Sequence, residues 1–291
     1  MKIRESFPHI SVQLVEISTS GDRHPHAVLG PEMGQSFFTK EIEEALLEAR
    51  VDLAVHSCKD LATQLPDGLK LAAIPQREDP RDAVVSARGS LSELPENGQV
   101  GTSSPRRQGF LAAVFPHLTF RAQRGNVPTR IDAVDMGEFD ATILAAAGLN
   151  RLGLSGRITE TLSTDLILPA ASQGALAIQT RTDDAQTSEA VAPLDHKETR
   201  AAVLAERACM RGLQAGCQAP VGVLGRIQGS SLTLEAAVVG PHGIERVVTS
   251  GSSAEPASVG REAANRLLEA LRLPSLQNVS WSPVPPRAGS A

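Results

Sequence analysis

The chain has 291 residues, 41% hydrophobic and 21% charged, enough for two or three domains with buried cores. A net charge of −5 and an aromatic content of 3% argue against a general nucleic-acid binder or a stacking platform for single strands. The three cysteines, Cys58, Cys209 and Cys217, form no disulfide framework, no apolar run reaches the ~18–20 residues of a membrane span, and MKIRESFPHI has no apolar leader, so the cytoplasm is the expected compartment.

Taken in chain order, ISVQLVEI (10–17) opens with alternating apolar residues and predicts a strand. TKEIEEALLEAR (39–50) places Ile42, Ala45, Leu46 and Ala49 on one helical face. DLAVHS (52–57) is a short apolar strand running into polar residues. Further strands are predicted at 84–87, 99–103, 118–122, 141–146 and 175–179, with helices near 105–115, 127–136 and 146–152. Strands alternating with helices indicate an α/β architecture. The character changes near residue 195. A helix over 197–213 precedes strands at 221–227, 231–239 and 244–250, joined by short turns, and a last helix covers about 255–271. That is an antiparallel meander in a smaller α+β unit. The Pro- and Ser-rich end, 274–291, reads as a disordered tail.

Several stretches carry chemistry. In GTSSPRRQ (101–108), Ser104 suits an N-cap and Pro105 the first helical position, which puts Arg106 and Arg107 in the first turn. Cations there oppose the helix dipole, and a bound anion reverses that sign. The bland alternative is a solvated first turn. RGNVPTR (124–130) repeats the pattern, with Asn126 as cap and Arg124 and Arg130 flanking it, and Arg151 follows a third strand. From Arg106 to Arg157 there are seven arginines and no lysine, a bias toward bidentate carboxylate or phosphate partners. HSCKDL (56–61) sets Lys59 and Asp60 beyond a strand end, where ligands bind in α/β sheets, although on this stretch alone a surface Lys–Asp pair starting a helix is the favoured reading. His24 and His26 lack the further ligands of a metal site, and none is expected. Cys217, in LQAGCQAPVG, stands in a loop beside Gly216 with no histidine to activate it. It follows a helix C-terminus, whose dipole does not lower a thiol pKa. An attachment point remains open.

These stretches in this order, together with FFTKEIEEALL, REDPRDAVVS, FDATILAAAGLNRLGL, LPAASQGALAIQTR and AERACMRGLQAGCQAPVG, resemble the porphobilinogen deaminase (hydroxymethylbilane synthase) family over about residues 16–224. The resemblance implies a transferase of tetrapyrrole and haem biosynthesis. It joins four porphobilinogen units head to tail with release of ammonia, primed by a dipyrromethane cofactor held through a thioether. By motif match Cys217 is the attachment point and Asp60 the catalytic aspartate, which stabilises the cationic azafulvene left when ammonia departs. The resemblance assigns Ser57, Lys59, Asp60, Thr102, Ser103, Arg106, Arg107, Arg130 and Gly216 to the cofactor. It assigns Asp22, Lys40, Arg124, Arg151 and Gln173 to the substrate. It further implies two periplasmic-binding-protein-like α/β domains, 1–76 with 174–192 and 77–173, and a C-terminal α+β domain, 193–273, with an antiparallel three-stranded sheet. The expected partner is the small-molecule substrate, with no membrane or nucleic acid, acting on a monomer.

Some residues depart from the family pattern. The chain is expected to start late, without the usual first strand and helix and the arginine and serine they carry. Gln35 stands for a lysine, and Ala215 and Ser172 stand where glycine is usual. Two other readings follow: an impaired or inactive truncated homologue, and a two-lobed anion-binding module.

Overall fold

The computed structural model describes residues 2–20, 39–215, 219–240, 243–277 and 279. Helix α1 (Lys2–Ser6) is followed by α2 (Lys40–Leu47), strand β1 (Leu53–Ser57), a 3-10 turn at Cys58–Asp60 and β2 (Leu69–Ala73). The middle of the chain carries β3 (Asp82–Ser86), β4 (Gln99–Gly101), α3 (Pro105–Val114), β5 (Thr119–Arg121), α4 (Val127–Asp135), β6 (Ala141–Ala145), α5 (Ala146–Arg151) and β7 (Glu160–Thr161). Then come β8 (Leu176–Arg181), α6 (Ala185–Val191), α7 (Lys197–Leu213), β9 (Val221–Gln228), β10 (Ser231–Gly240), β11 (Gly243–Ser252) and α8 (Pro256–Leu271). Two α/β units and an α+β unit with a three-stranded antiparallel sheet result, as the alternation of patterns implies. Among the described residues no helix is long and apolar enough to cross a membrane.

The first sheet has the order β1-β8-β2, with β8 antiparallel to both neighbours. Its register pairs Ser57 with Leu176, and the Cys58 N–H donates to the Ala175 carbonyl at 3.0 Å. The turn after β1 therefore lies beside the loop before β8. The second sheet has the order β5-β4-β6-β3-β7. Strands β5, β4 and β6 are parallel, so the helices that follow them all start at one edge. Strand β3 is antiparallel to β6 and pairs Asp82 with Ala145, which brings the first residue of β3 to that same edge. The third sheet is the meander β11-β10-β9, covered by α7 and α8.

Packing joins the units. Leu224, Ala237 and Val239 of the third unit share a core with Val84, Phe110 and Ile143 of the second. Helices α7 and α8 approach so closely that a Cβ on Gly260 would lie 2.2 Å from the Ala205 carbonyl oxygen. After α8 the chain folds back. Leu276 is 2% exposed, and its N–H donates to the Leu213 carbonyl at 2.9 Å. Order thus extends past the expected tail start at 274, and 280–291 lie outside the described residues.

Residues 10–17 differ from expectation, being irregular and not a strand. Ile10 and Val12 pack near Ile3 and Ile178, but Leu14 and Val15 are 89% and 55% exposed, so the alternation has no second surface to cover. Strands β2 and β7 and helix α6 carry too few patterned residues to have been read from the sequence.

Candidate functional site

The edge of the second sheet collects the arginines. Ser104 caps α3, its Oγ accepting from the Arg107 N–H, with Pro105 opening the helix. Asn126 caps α4 by accepting from the Thr129 N–H at 3.0 Å. Both helix starts form as their sequences require. Thr102 is buried and Ser103 Oγ donates to the Gln123 carbonyl at 2.9 Å, which fixes the loop before α3.

The anion demanded by cations in the first turn of α3 proves to be internal. Arg106 Nη1 donates to Asp82 Oδ2 at 2.7 Å and to the Leu168 carbonyl at 2.6 Å. Arg107 donates to Asp82 Oδ1 through Nε at 3.0 Å and Nη2 at 2.7 Å, and to the Ile143 carbonyl through Nη1 at 2.8 Å. The arginine side chains are only 5% and 8% exposed, so the alternative of a solvated first turn does not hold. Burial pushes the Asp82 carboxyl up, but the two guanidiniums overrule it and hold it below the usual carboxylate range. Two guanidiniums against one carboxylate leave the cluster net positive. Asp82, an acid opening an apolar strand in PRDAVVS, was the missed residue. Its partners lie 24 and 25 positions away, beyond any local pattern.

Gln173 links this cluster to the turn after β1. Its Nε2 donates to Asp82 Oδ1 at 3.0 Å and to the Pro80 carbonyl at 2.8 Å, and its Oε1 accepts from Lys59 Nζ at 3.3 Å. Ser57, Lys59 and Asp60 are all solvent-accessible, and enough protein surrounds Lys59 and Asp60 to perturb both. Desolvation pushes the Lys59 ammonium below its usual range, with Asp60 opposing. Desolvation likewise raises the Asp60 carboxyl, with Lys59 opposing.

Arg124 and Arg130 are half-buried at the start of α4. Arg130 Nε donates to the Gly125 carbonyl at 2.8 Å. Its pKa is lowered to about 10 by desolvation and by the like charges of Arg107 and Arg124. Among the described residues neither Arg124 nor Arg130 has a carboxylate partner, in contrast to Arg106 and Arg107. Arg151 Nη2 donates to the Gly174 carbonyl at 2.7 Å and so stands beside the Gln173 loop. Lys40 opens α2 as an exposed residue, 3.8 Å from Glu44, and is not brought to the others by any bond. Asp22, Gln35, Gly216 and Cys217 lie outside the described residues.

A second missed group sits where the chain passes between the first two units. Glu206 of α7 is fully buried. It accepts from Arg77 Nη1 at 2.5 Å, from the Ser172 N–H at 2.6 Å and from the Gly225 N–H at 2.8 Å. The two passing segments touch at Gly174 (φ +84), where a Cβ would lie 2.4 Å from the Glu78 carbonyl oxygen. Ser172 takes φ +65, a left-handed conformation suited to glycine. Its hydroxyl is buried without a hydrogen-bond partner. The neighbouring Cys58 thiol interacts with it only weakly.

Comparison with known proteins places this geometry. Residues 1–189 match the model of the porphobilinogen deaminase dipyromethane cofactor binding domain, and 200–269 match that of the porphobilinogen deaminase C-terminal domain. The chain is similar to porphobilinogen deaminase of Chromobacterium violaceum, 46% identical over 97% of this chain and 92% of the relative. It is also similar to that of Trichlorobacter lovleyi, 45% identical over 92% and 87%. These coverages do not support the expected N-terminal shortfall. Among solved structures, a probable amino-acid ABC transporter extracellular-binding protein from Bacillus subtilis covers 66% of the chain at TM-score 0.37 and 10% identity, too low a likeness to carry an argument. The family-model matches and the identity over nearly the whole chain exclude a separate anion-binding module: the chain belongs to the porphobilinogen deaminase family.

Proposed function

We propose that the arginine edge of the second sheet and the Ser57–Asp60 turn of the first form a single cleft that builds a chain of pyrroles. The family's reaction joins four porphobilinogen units head to tail, releases one ammonia from each and yields hydroxymethylbilane. The observation that carries the reading is the row of cations without carboxylates, Arg124 and Arg130, beside the net positive Arg106–Arg107–Asp82 cluster. A ligand carrying several carboxylates fits this set, because each new pyrrole adds negative charge that a guanidinium can bind bidentately.

Dipyrromethane meets the same test. Cys217 would hold it covalently beside Gly216, and Ser57, Lys59, Thr102, Ser103, Arg107 and Arg130 would line its acidic side chains. When bound, that group supplies the primer to which units are joined. The chain's own residues then act as follows. Arg124, Arg130 and Arg151 bind substrate carboxylates, with Lys40 and Asp22 contributing from the first unit. Gln173 orients Lys59 by accepting its proton-bearing nitrogen and anchoring to Asp82. Asp60, in its carboxylate form, faces the positive charge that develops as ammonia leaves, the geometry in which a fixed carboxylate lowers a barrier. Lys59 opposes the upward shift that desolvation imposes on the Asp60 carboxyl.

The units are assigned as 1–76 with 174–192, 77–173 and 193–273. We assign a monomer, and the sparse cysteines support a cytoplasmic location. Intact-mass measurement tests the reading. Chain purified from a haem-competent host carries an added dipyrromethane, and Cys217→Ala abolishes it. An unmodified parent Cys217 refutes the assignment.

A further inference from the structure

We propose that Arg207 and Arg211 of α7 are positioning residues for the Lys59–Asp60 turn, holding the three carbonyls that follow it and tying the turn to the helix that leads toward Cys217. The proposal rests on the reading of Asp60 given above.

The turn itself is short. Cys58–Asp60 is one 3-10 turn, and residues 61–64 belong to no helix or strand. Arg207 Nη1 donates to the Leu61 carbonyl at 3.2 Å and Nη2 to the Ala62 carbonyl. Arg211, one turn further along α7, donates from Nη1 to the Thr63 carbonyl at 2.9 Å. Two guanidiniums thus read three successive carbonyls, a match in spacing between an α-helical turn and an extended loop. Arg207 is 3% exposed, and no carboxylate pairs with it among the described residues. Burying a guanidinium against two carbonyls and the Cys58 thiol, with no carboxylate, is costly, and an apolar side chain would fill the space at lower cost. The arrangement makes sense if the conformation of the loop is what matters.

The charged surroundings are consistent. Lys59 faces Asp60, and Arg106, Arg107 and Asp82 face Lys59. On the far side Arg207, Glu206 and Arg77 face the buried Cys58 thiol, whose pKa burial raises. Arg207 has no resolved electrostatic effect on Asp60. Its influence therefore passes through the loop. Loss of the clamp lets the turn hydrate, so Asp60 loses desolvation and titrates lower.

The test uses holoenzyme of the full chain, with ammonia release from porphobilinogen followed against pH. Arg207→Met keeps the covalent group, lowers kcat by about tenfold with KM little changed, and moves the acid limb of kcat to lower pH. Arg207→Lys, which keeps the charge and a donor, recovers part of both effects. Arg211→Ala lies on the surface, needs no core rearrangement and moves the limb in the same direction by less, so it carries the test if Arg207→Met does not fold. A limb that stays in place while Tm falls, or one that moves up as loss of a nearby cation alone would cause, overturns the proposal. Asp60→Glu separates the two readings. If it leaves the limb unmoved, the assignment of Asp60 falls, and the clamp with it. If it moves the limb and neither arginine variant does, only the clamp falls.

Discussion

Ser172→Gly should stabilise the protein. At φ +65 a residue with a Cβ carries about 1–2 kcal/mol of conformational cost. Its hydroxyl adds up to about 1 kcal/mol more, because it is buried with only the weakly interacting Cys58 thiol beside it. Glycine removes both and keeps the Ser172 N–H bond to Glu206. Against this, the unfolded chain gains freedom worth about 0.4–1 kcal/mol. The net gain is about 1–2 kcal/mol, which for a domain of this size raises Tm by roughly 2–4 °C per kcal/mol. Differential scanning calorimetry of the parent, Ser172→Gly and Ser172→Ala separates the two causes. Alanine loses the hydroxyl and keeps the Cβ, so it should recover only the smaller part. A glycine variant no more stable than the alanine variant refutes the strain argument.

Other outcomes follow from the same geometry. Asp82→Asn strands two buried guanidiniums and should cost about 3–5 kcal/mol by urea unfolding. Because the folded Asp82 pKa lies below its unfolded value of 3.8, its contribution is full above that pH and is lost as pH falls through the folded value. The gap between parent and variant should therefore close in strong acid. Arg130→Gln should raise KM for porphobilinogen about tenfold or more, the worth of one charge-assisted hydrogen bond. Gly260→Ala drives a methyl into the Ala205 carbonyl and should lower stability by about 1–3 kcal/mol, measured by thermal unfolding.

The sequence was most legible where one short stretch carries its own logic. Ser104, Pro105 and Asn126 announced two helix starts that the structure contains, and the periodic run over 197–213 gave α7 to the residue. Residues whose role depends on distant partners were not legible. Asp82, Arg77 and Glu206 look like ordinary charges in their own windows. Their meaning comes from partners between 19 and 129 positions away. Arg106 and Arg107 were found for a sound local reason, yet the register of β3 supplies much of the anion that the reason required. Residues 10–17 show the converse, a clean alternation that joins no sheet among the described residues.

The central place of β8 in the first sheet bears on the order of assembly during synthesis. Strands β1 and β2 each pair with β8 and not with each other, and β1 meets residues 119–127 positions later in the chain. As the ribosome releases the chain, the first sheet cannot close until the whole stretch from β3 to β7 has emerged. The second sheet has all its strands within 82–161 and can fold before that. Such separation slows folding and leaves early apolar strands unpaired. The later-made unit should thus be the first to become resistant to protease on a stalled nascent chain, with the N-terminal one protected only after residue 181 is outside the tunnel.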